Sequence, residues 1–200
     1  MHSSRPSLDA FTLIELLVVI VIIAILMGLA FPAFQAVQNQ AKKTQAKNDL
    51  VQIVSAVNAY YTEYGKYPLT PTSPADTTYG TTTANVTLFN VLRNVSAATD
   101  NPRGIVFINP PDAKDPNNPR SGIAGATSSS AGQYFDPWGK PYMITIDTDY
   151  DNQVDNPYSA DTGAGPAKIR QGVISWSLGQ DGVLGKNGSF TGSDDVISWQ

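Results

Sequence analysis

The chain has 200 residues, a formal net charge of -4 and no cysteine. Beyond an apolar N-terminal stretch this length leaves room for one modest domain with its own core, and the missing thiols exclude disulfides, cysteine metal sites and thiol catalysis together. Acids are in excess and Lys42, Lys43 and Lys47 form the one basic cluster, so nothing points to phosphate neutralisation and no nucleic-acid partner is expected.

The first ten residues, MHSSRPSLDA, are short and polar. From Phe11 to Phe34 the chain reads FTLIELLVVIVIIAILMGLAFPAF, with Glu15 its single charge. The 19 uncharged residues Leu16 to Phe34, helical at about 1.5 Å per residue, cover about 28 Å, close to the ~30 Å hydrocarbon core of a bilayer. A carboxylate within a membrane helix costs roughly 2.5–3.5 kcal/mol on insertion scales and tends to find a partner. No Lys or Arg lies near it in sequence, the nearest being Arg5 and Lys42, so the partner is expected from a new α-amine or from another molecule. The alternative is a glutamate that snorkels to the headgroups.

The border Ala10/Phe11 followed by Thr12-Leu13-Ile14-Glu15 resembles the prepilin-type cleavage and methylation signal of type IV pilins and of the pseudopilins of type II secretion. The resemblance implies that a prepilin peptidase cuts between Ala10 and Phe11 and methylates the new amine. It also implies that Glu15, then the fifth residue, pairs with a neighbouring subunit's amine during assembly. The chain departs from the family pattern in having Ala10 where Gly is usual and a leader whose only basic residues are Arg5 and His2. Lys42, Lys43 and Lys47 after the span would by charge alone favour a cytoplasmic location for the C-terminal side of the helix; the resemblance implies the opposite topology. A rival reading is a secretory signal cut after Gly28-Leu29-Ala30, against which stand Glu15 and an apolar run longer than such signals carry.

After Pro32 the pattern turns amphipathic. Val37, Ala41, Thr44, Val51, Val54, Val57 and Tyr61 recur at helical spacing, with Gln38, Lys42, Lys43, Lys47 and Asp49 elsewhere. One long helix is therefore expected from Phe11 to about Glu63, kinked at Pro32 and closed at Gly65, with Pro68 unable to continue it. The segment AYYTEYGKYP resembles the end of the long helix in the major pseudopilin, and Tyr60, Tyr61, Tyr64 and Tyr67 are read as core.

Leu69 to Thr83 is expected as loop, Leu88–Leu92 as a short helix or turn, and Gly104–Ile108 as a strand. Pro110 to Gly132 reads as loop again, its second half, from Ser121, mobile. Tyr142–Ile146, Gly172–Ser177 and Val196–Trp199 are strands. Few strands and long connections predict an α+β fold, a long helix packed on a small antiparallel sheet. The motif Asp136-Pro137-Trp138-Gly139-Lys140-Pro141-Tyr142 is very similar to one in the major pseudopilin, and Pro137, Gly139 and Trp138 give it a structural role on physical grounds alone.

Two acidic stretches remain. From Ser177 to Trp199 carboxylates alternate with glycines, a pattern suited to Ca²⁺, which takes six to eight oxygens. The stretch resembles the calcium loop of the major pseudopilin. The resemblance implies Asp181 and Asp195 as side-chain ligands and Leu178 as a carbonyl ligand; Asp194 is read as an additional ligand, since the pair Asp194-Asp195 repels itself without a cation. Solvated acidic turns are the alternative. Asp147 to Asp155 begins like an EF-hand but has Asn152 at its sixth position and Tyr158 at its twelfth; a solvated hairpin connection is the reading, a second weak Ca²⁺ site the alternative.

His2 falls in the expected leader, which leaves the processed chain without a histidine for a triad or zinc site, and no enzymatic activity is expected. The expected organisation is leader 1–10, membrane and assembly helix 11–34, amphipathic continuation 35–64, and periplasmic head 65–200. The resemblance implies a single-pass inner-membrane subunit, held in lipid before assembly, that polymerises with itself into a short periplasmic pseudopilus. Its implied partners are the prepilin peptidase, minor pseudopilins, the inner-membrane secretion platform and a cytoplasmic ATPase. A type IV pilin of a surface fibre and a secreted calcium-binding module are the alternatives.

Overall fold

The computed structural model describes residues 11–69, 75–95, 100–158, 162–187 and 189–200, with the side chains of 29, 30, 32, 33 and 162 outside that set. The leader, Ala10 included, lies outside the described residues. The chain forms two compact units, Met1–Ala41 and Lys42–Gln200.

Helix α1 is assigned over Leu13–Tyr64, 52 residues, and Pro32 does not end it. Among the described side chains of the first unit the apolar ones are exposed: Leu16, Ile20, Ile25 and Met27 are each more than half exposed. Among the described residues no helix is long and apolar enough to cross a membrane; four members of the Leu16–Phe34 run are among the side chains outside that set. At the other end Gly65 takes the expected left-handed C′ conformation, φ +66°, its N–H donating to the Tyr61 carbonyl at 2.8 Å.

In the second unit, α1 buries Ala46, Asp49, Leu50, Ile53, Ala56, Val57 and Tyr60, the 3–4 spacing of one helical stripe. The predicted face was turned by one position: Val37 and Val51 are exposed, Val54 is only half-buried, and Asp49, expected on the polar side, is inside. Of the four tyrosines, Tyr60 and Tyr67 are core. Tyr61 is 39% exposed and stacks on Tyr67.

Strand β1 (Thr77–Tyr79) is followed by helix α2 (Val86–Leu92), strands β2 (Gly122–Ile123), β3 (Tyr134–Phe135) and β4 (Met143–Ile146), then β5 (Val154–Asp155), β6 (Lys168–Ile169), β7 (Val173–Ser177) and β8 (Val196–Ile197). The main sheet has the order β1-β4-β7-β8, and β2-β3 and β5-β6 form two-stranded ladders. Every ladder is antiparallel. The α+β class with a small antiparallel sheet is as expected.

Three expectations fail. The stretch Gly104–Ile108 makes no ladder; its Phe107 N–H donates instead to the Leu92 carbonyl at the end of α2, 2.8 Å. The supposed loop Leu69–Thr83 contains β1. The stretch from Ser121 to Gly132, expected to be mobile, begins with β2, and Gly122, Ile123 and Ala124 are buried.

Alternation along the strands divides the interior into two clusters. Ile144, Ile146, Val173 and Val196 face the cluster containing Leu50, Ile53 and Val57 of α1. Met143, Ile174, Trp176 and Ile197 face the other way, toward Tyr158, Val154 and Ile169, with Leu178, Phe190 and Trp199 packed at its edge. The sheet is thus covered on both faces, and residues of the C-terminal loop help to cover the second.

Candidate functional site

The motif Asp136–Tyr142 sets the base of the site. Asp136 is fully buried; its Oδ1 accepts the N–H groups of Trp138 (2.9 Å) and Lys140 (2.8 Å), and its Oδ2 the Ser177 hydroxyl (2.6 Å). Burial raises the carboxyl's pKa, while these donors pull it back. The same Ser177 hydroxyl accepts the Gly179 N–H at 3.2 Å, which fixes how the chain leaves β7 for the acidic loop.

Within that loop Asp181, Asp194 and Asp195 each present a carboxylate oxygen within 4.8 Å of the others. Asp194 Oδ2 accepts the N–H groups of Gln180 and of Asp181, the latter at 3.2 Å. This turn needs Gly179: its φ is +63°, and a Cβ there would lie 2.6 Å from Asp194 Oδ2. Asp181 Oδ1 accepts the Val183 N–H at 2.8 Å. The Leu178 carbonyl accepts the Gly182 N–H at 3.2 Å and keeps a second lone pair.

Asp195 differs from the other two. It is 6% exposed; Oδ2 accepts the Tyr158 hydroxyl and the Gly185 N–H, both at 2.7 Å, and the buried Oδ1 has no protein partner. Burial pushes its pKa up, opposed by those two donors and reinforced by Asp194 and Asp181. A buried carboxylate oxygen without a donor, beside two more acids, suits a hard cation that takes oxygen ligands. Lys140 arrives from the other motif, its Cε 2.4 Å from where a Gly182 Cβ would stand. Sequence reasoning did not place Lys140 here, and no local signal carried it.

The acids from Asp147 to Asp155 do not form a uniformly solvated connection. Asp147 is buried and accepts the N–H groups of Asp151 (3.1 Å) and Asn152 (2.9 Å). Asp149 and Asp151 are exposed, and Asp155 pairs with Lys168 at 2.7 Å. Sequence reasoning missed Asp76, which joins Asp147 and Asp149 within 4.8 Å. Burial, then the neighbouring acids, push its carboxyl up to about 6.

At the other end of the chain, Phe11 is 84% exposed. Glu15 has a local hydrogen-bond partner besides the cationic one expected from another molecule. Its Oε2 accepts the Thr12 N–H (2.9 Å) and the Thr12 hydroxyl (2.6 Å), and the Thr12 Oγ1 accepts the Glu15 N–H (3.3 Å). Thr12-x-x-Glu15 is a capping box at the start of α1, a signal present in the sequence. These bonds carry no counter-charge.

No curated protein and no solved structure matches this chain. One family model does: residues 9–31 match the prokaryotic N-terminal methylation motif, a type IV pilin-like signal of prepilin-processed, membrane-anchored proteins. The chain therefore carries that motif across the proposed cut and most of the apolar run beyond it.

Proposed function

We propose that the chain is a pseudopilin of type II secretion: cleaved between Ala10 and Phe11, methylated, held in the inner membrane by its apolar helix, and polymerised into a short periplasmic filament. The observation that carries the reading is the methylation motif over residues 9–31, together with an apolar helix surface in the first unit that has no covering of its own. Lateral packing of such helices removes that surface from lipid or water. Glu15, hydrogen-bonded but without a counter-charge among the described residues, sits where a neighbour's amine would neutralise it. The work of assembly comes from a cytoplasmic ATPase and the secretion platform, with minor pseudopilins as further partners. The chain itself is a structural subunit rather than an enzyme.

In this reading the second unit holds Ca²⁺ through Asp181, Asp194, Asp195 and the Leu178 carbonyl. Calcium supplies positive charge to three mutually repelling carboxylates and a ligand for the unpartnered Asp195 oxygen.

A type IV pilin of a surface fibre is the second reading, since the motif is common to both. The Asp136–Tyr142 motif and the absence of a cysteine pair favour the pseudopilin. Mass spectrometry of the mature N-terminus tests processing: methylated Phe11 is expected, whereas a chain beginning at Phe31 would establish a secreted calcium-binding module instead. Loss of export of secreted proteins, with surface fibres intact, on deleting the gene separates the pseudopilin from the pilin.

A further inference from the structure

We propose that Lys47 of α1 is a positioning residue for the cation site: it anchors the strap 194–200 at the end opposite the acids, so that cation binding and the seating of the strap on the helix are one coupled equilibrium. The proposal rests on the calcium reading above and names the element through which that site communicates.

The strap has little regular secondary structure of its own. Strand β8 is two residues long, paired to β7 as Ser177↔Val196 and Trp176↔Ile197, and a strand that short is marginal alone. Val196, Ile197 and Trp199 pack into the two core clusters, and further bonds tie the segment from Val196 onward to β7, to the turn at 163–164 and to α1. The Ser198 N–H donates to the Ser175 carbonyl at 2.9 Å, and the Ser175 N–H to the Ser198 hydroxyl at 3.0 Å. Trp199 Nε1 donates to the Ala164 carbonyl at 2.7 Å and Gln200 Nε2 to the Gly163 carbonyl at 2.8 Å. The charged tie is Lys47, whose ammonium donates to the Ile197 carbonyl at 2.8 Å and to the backbone oxygen of Gln200. Bonds from an ionised donor are about twice as strong as neutral ones, and Lys47 projects from a helix stripe locked by fully buried Ala46 and Leu50.

Ile197 lies two residues beyond Asp195, about 7 Å of extended chain. That spacing is too short to absorb a shift at either end. When Asp194 and Asp195 repel, the strap is pushed from the sheet; when Lys47 holds Ile197, the Asp195 carboxylate is kept at Tyr158 and Gly185. Each event therefore favours the other, and linkage requires the coupling to be reciprocal.

The test titrates the full chain in detergent with CaCl₂ by calorimetry, in wild type, Lys47→Met, Lys47→Arg and Asp195→Asn. Wild type is expected to bind, Asp195→Asn to lose binding, Lys47→Met to bind on the order of tenfold more weakly, and Lys47→Arg to bind near wild type. If wild type does not bind, the calcium reading falls and this proposal with it. If wild type binds and Lys47→Met binds equally well, the calcium reading stands and the anchor is refuted. Hydrogen exchange on wild type serves where the variant fails to fold. Calcium should slow exchange in residues 46–50 of α1 and 196–200, leaving α2 unchanged; no effect on α1 overturns the proposal.

Discussion

Asp195→Asn removes the one acid of the C-terminal cluster that is buried with an oxygen unpartnered. In the wild type a cation present at a hundred times its dissociation constant stabilises the folded state by about 2.7 kcal/mol. The second unit, Lys42–Gln200, is of a size for which each kcal/mol moves Tm by about 2–4 °C. Calcium should therefore raise Tm by about 5–11 °C, read by circular dichroism in excess Ca²⁺ against excess EGTA. In Asp195→Asn the rise should vanish, while the EGTA value should be no lower than wild type, because the amide keeps an acceptor for Tyr158 and Gly185 without burying a charge. The pH dependence has a definite sign. Asp195 has its folded pKa raised, chiefly by burial, so without cation the wild type loses stability as pH rises from the ordinary carboxylate range through that raised value. With Ca²⁺ the loss should disappear, since the metal favours the ionised form. An equal calcium shift in Asp195→Asn, or none in either protein, would refute the assignment.

Three other substitutions separate structural from functional acids. Tyr142→Phe removes the hydroxyl that donates to buried Asp49 at 2.7 Å. It should cost about 1–3 kcal/mol in urea denaturation at neutral pH and less in acid, because burial raises the Asp49 pKa and the protonated acid tolerates the lost donor. Asp76→Asn should raise Tm at pH 7.5 and leave it unchanged at pH 3: with its folded pKa raised from 3.8 to about 6, the wild type loses stability as pH climbs through that window, and the amide does not. An unchanged Tm at pH 7.5 would show that neither burial nor the neighbouring acids impose a penalty. Glu15→Leu should leave cleavage before Phe11 intact by mass spectrometry yet yield no filaments by electron microscopy; normal filaments would sink the role given to its carboxylate.

What was legible in the sequence depended on how far apart the deciding residues lie. Helix α1, its Gly65 stop, α2 and strands β4, β7 and β8 announce themselves through local periodicity and turn chemistry. Asp181 and Asp195, which the resemblance implies as ligands, and Asp194 beside them lie in one glycine-rich stretch and meet in space. The buried stripe of α1 lies one position from the predicted one because alanines and an aspartate line it, and Asp49 finds its hydroxyl donor in Tyr142, 93 residues away. Asp76 escaped notice for the same reason: the chain near it looks like loop, and its acidic neighbours come from beyond β4. Strands β1 and β2 are three and two residues long, too short for an alternating pattern to emerge. Gly104–Ile108 has the composition of a strand, but its backbone bonds the Leu92 carbonyl at the end of α2 and not a sheet edge. The Thr12–Glu15 box, by contrast, is a signal that a four-residue window of sequence carries in full.

Ser177 and Val196 face each other across the β7–β8 ladder, so the acidic stretch between them leaves and rejoins the fold at a single closed neck. The cost of closing a loop grows only slowly with its length. Lineages can therefore change the length of the exposed part of this stretch around Lys186 at little entropic cost, provided Leu178 and Phe190 keep their places against the sheet and the three acids theirs in the cluster.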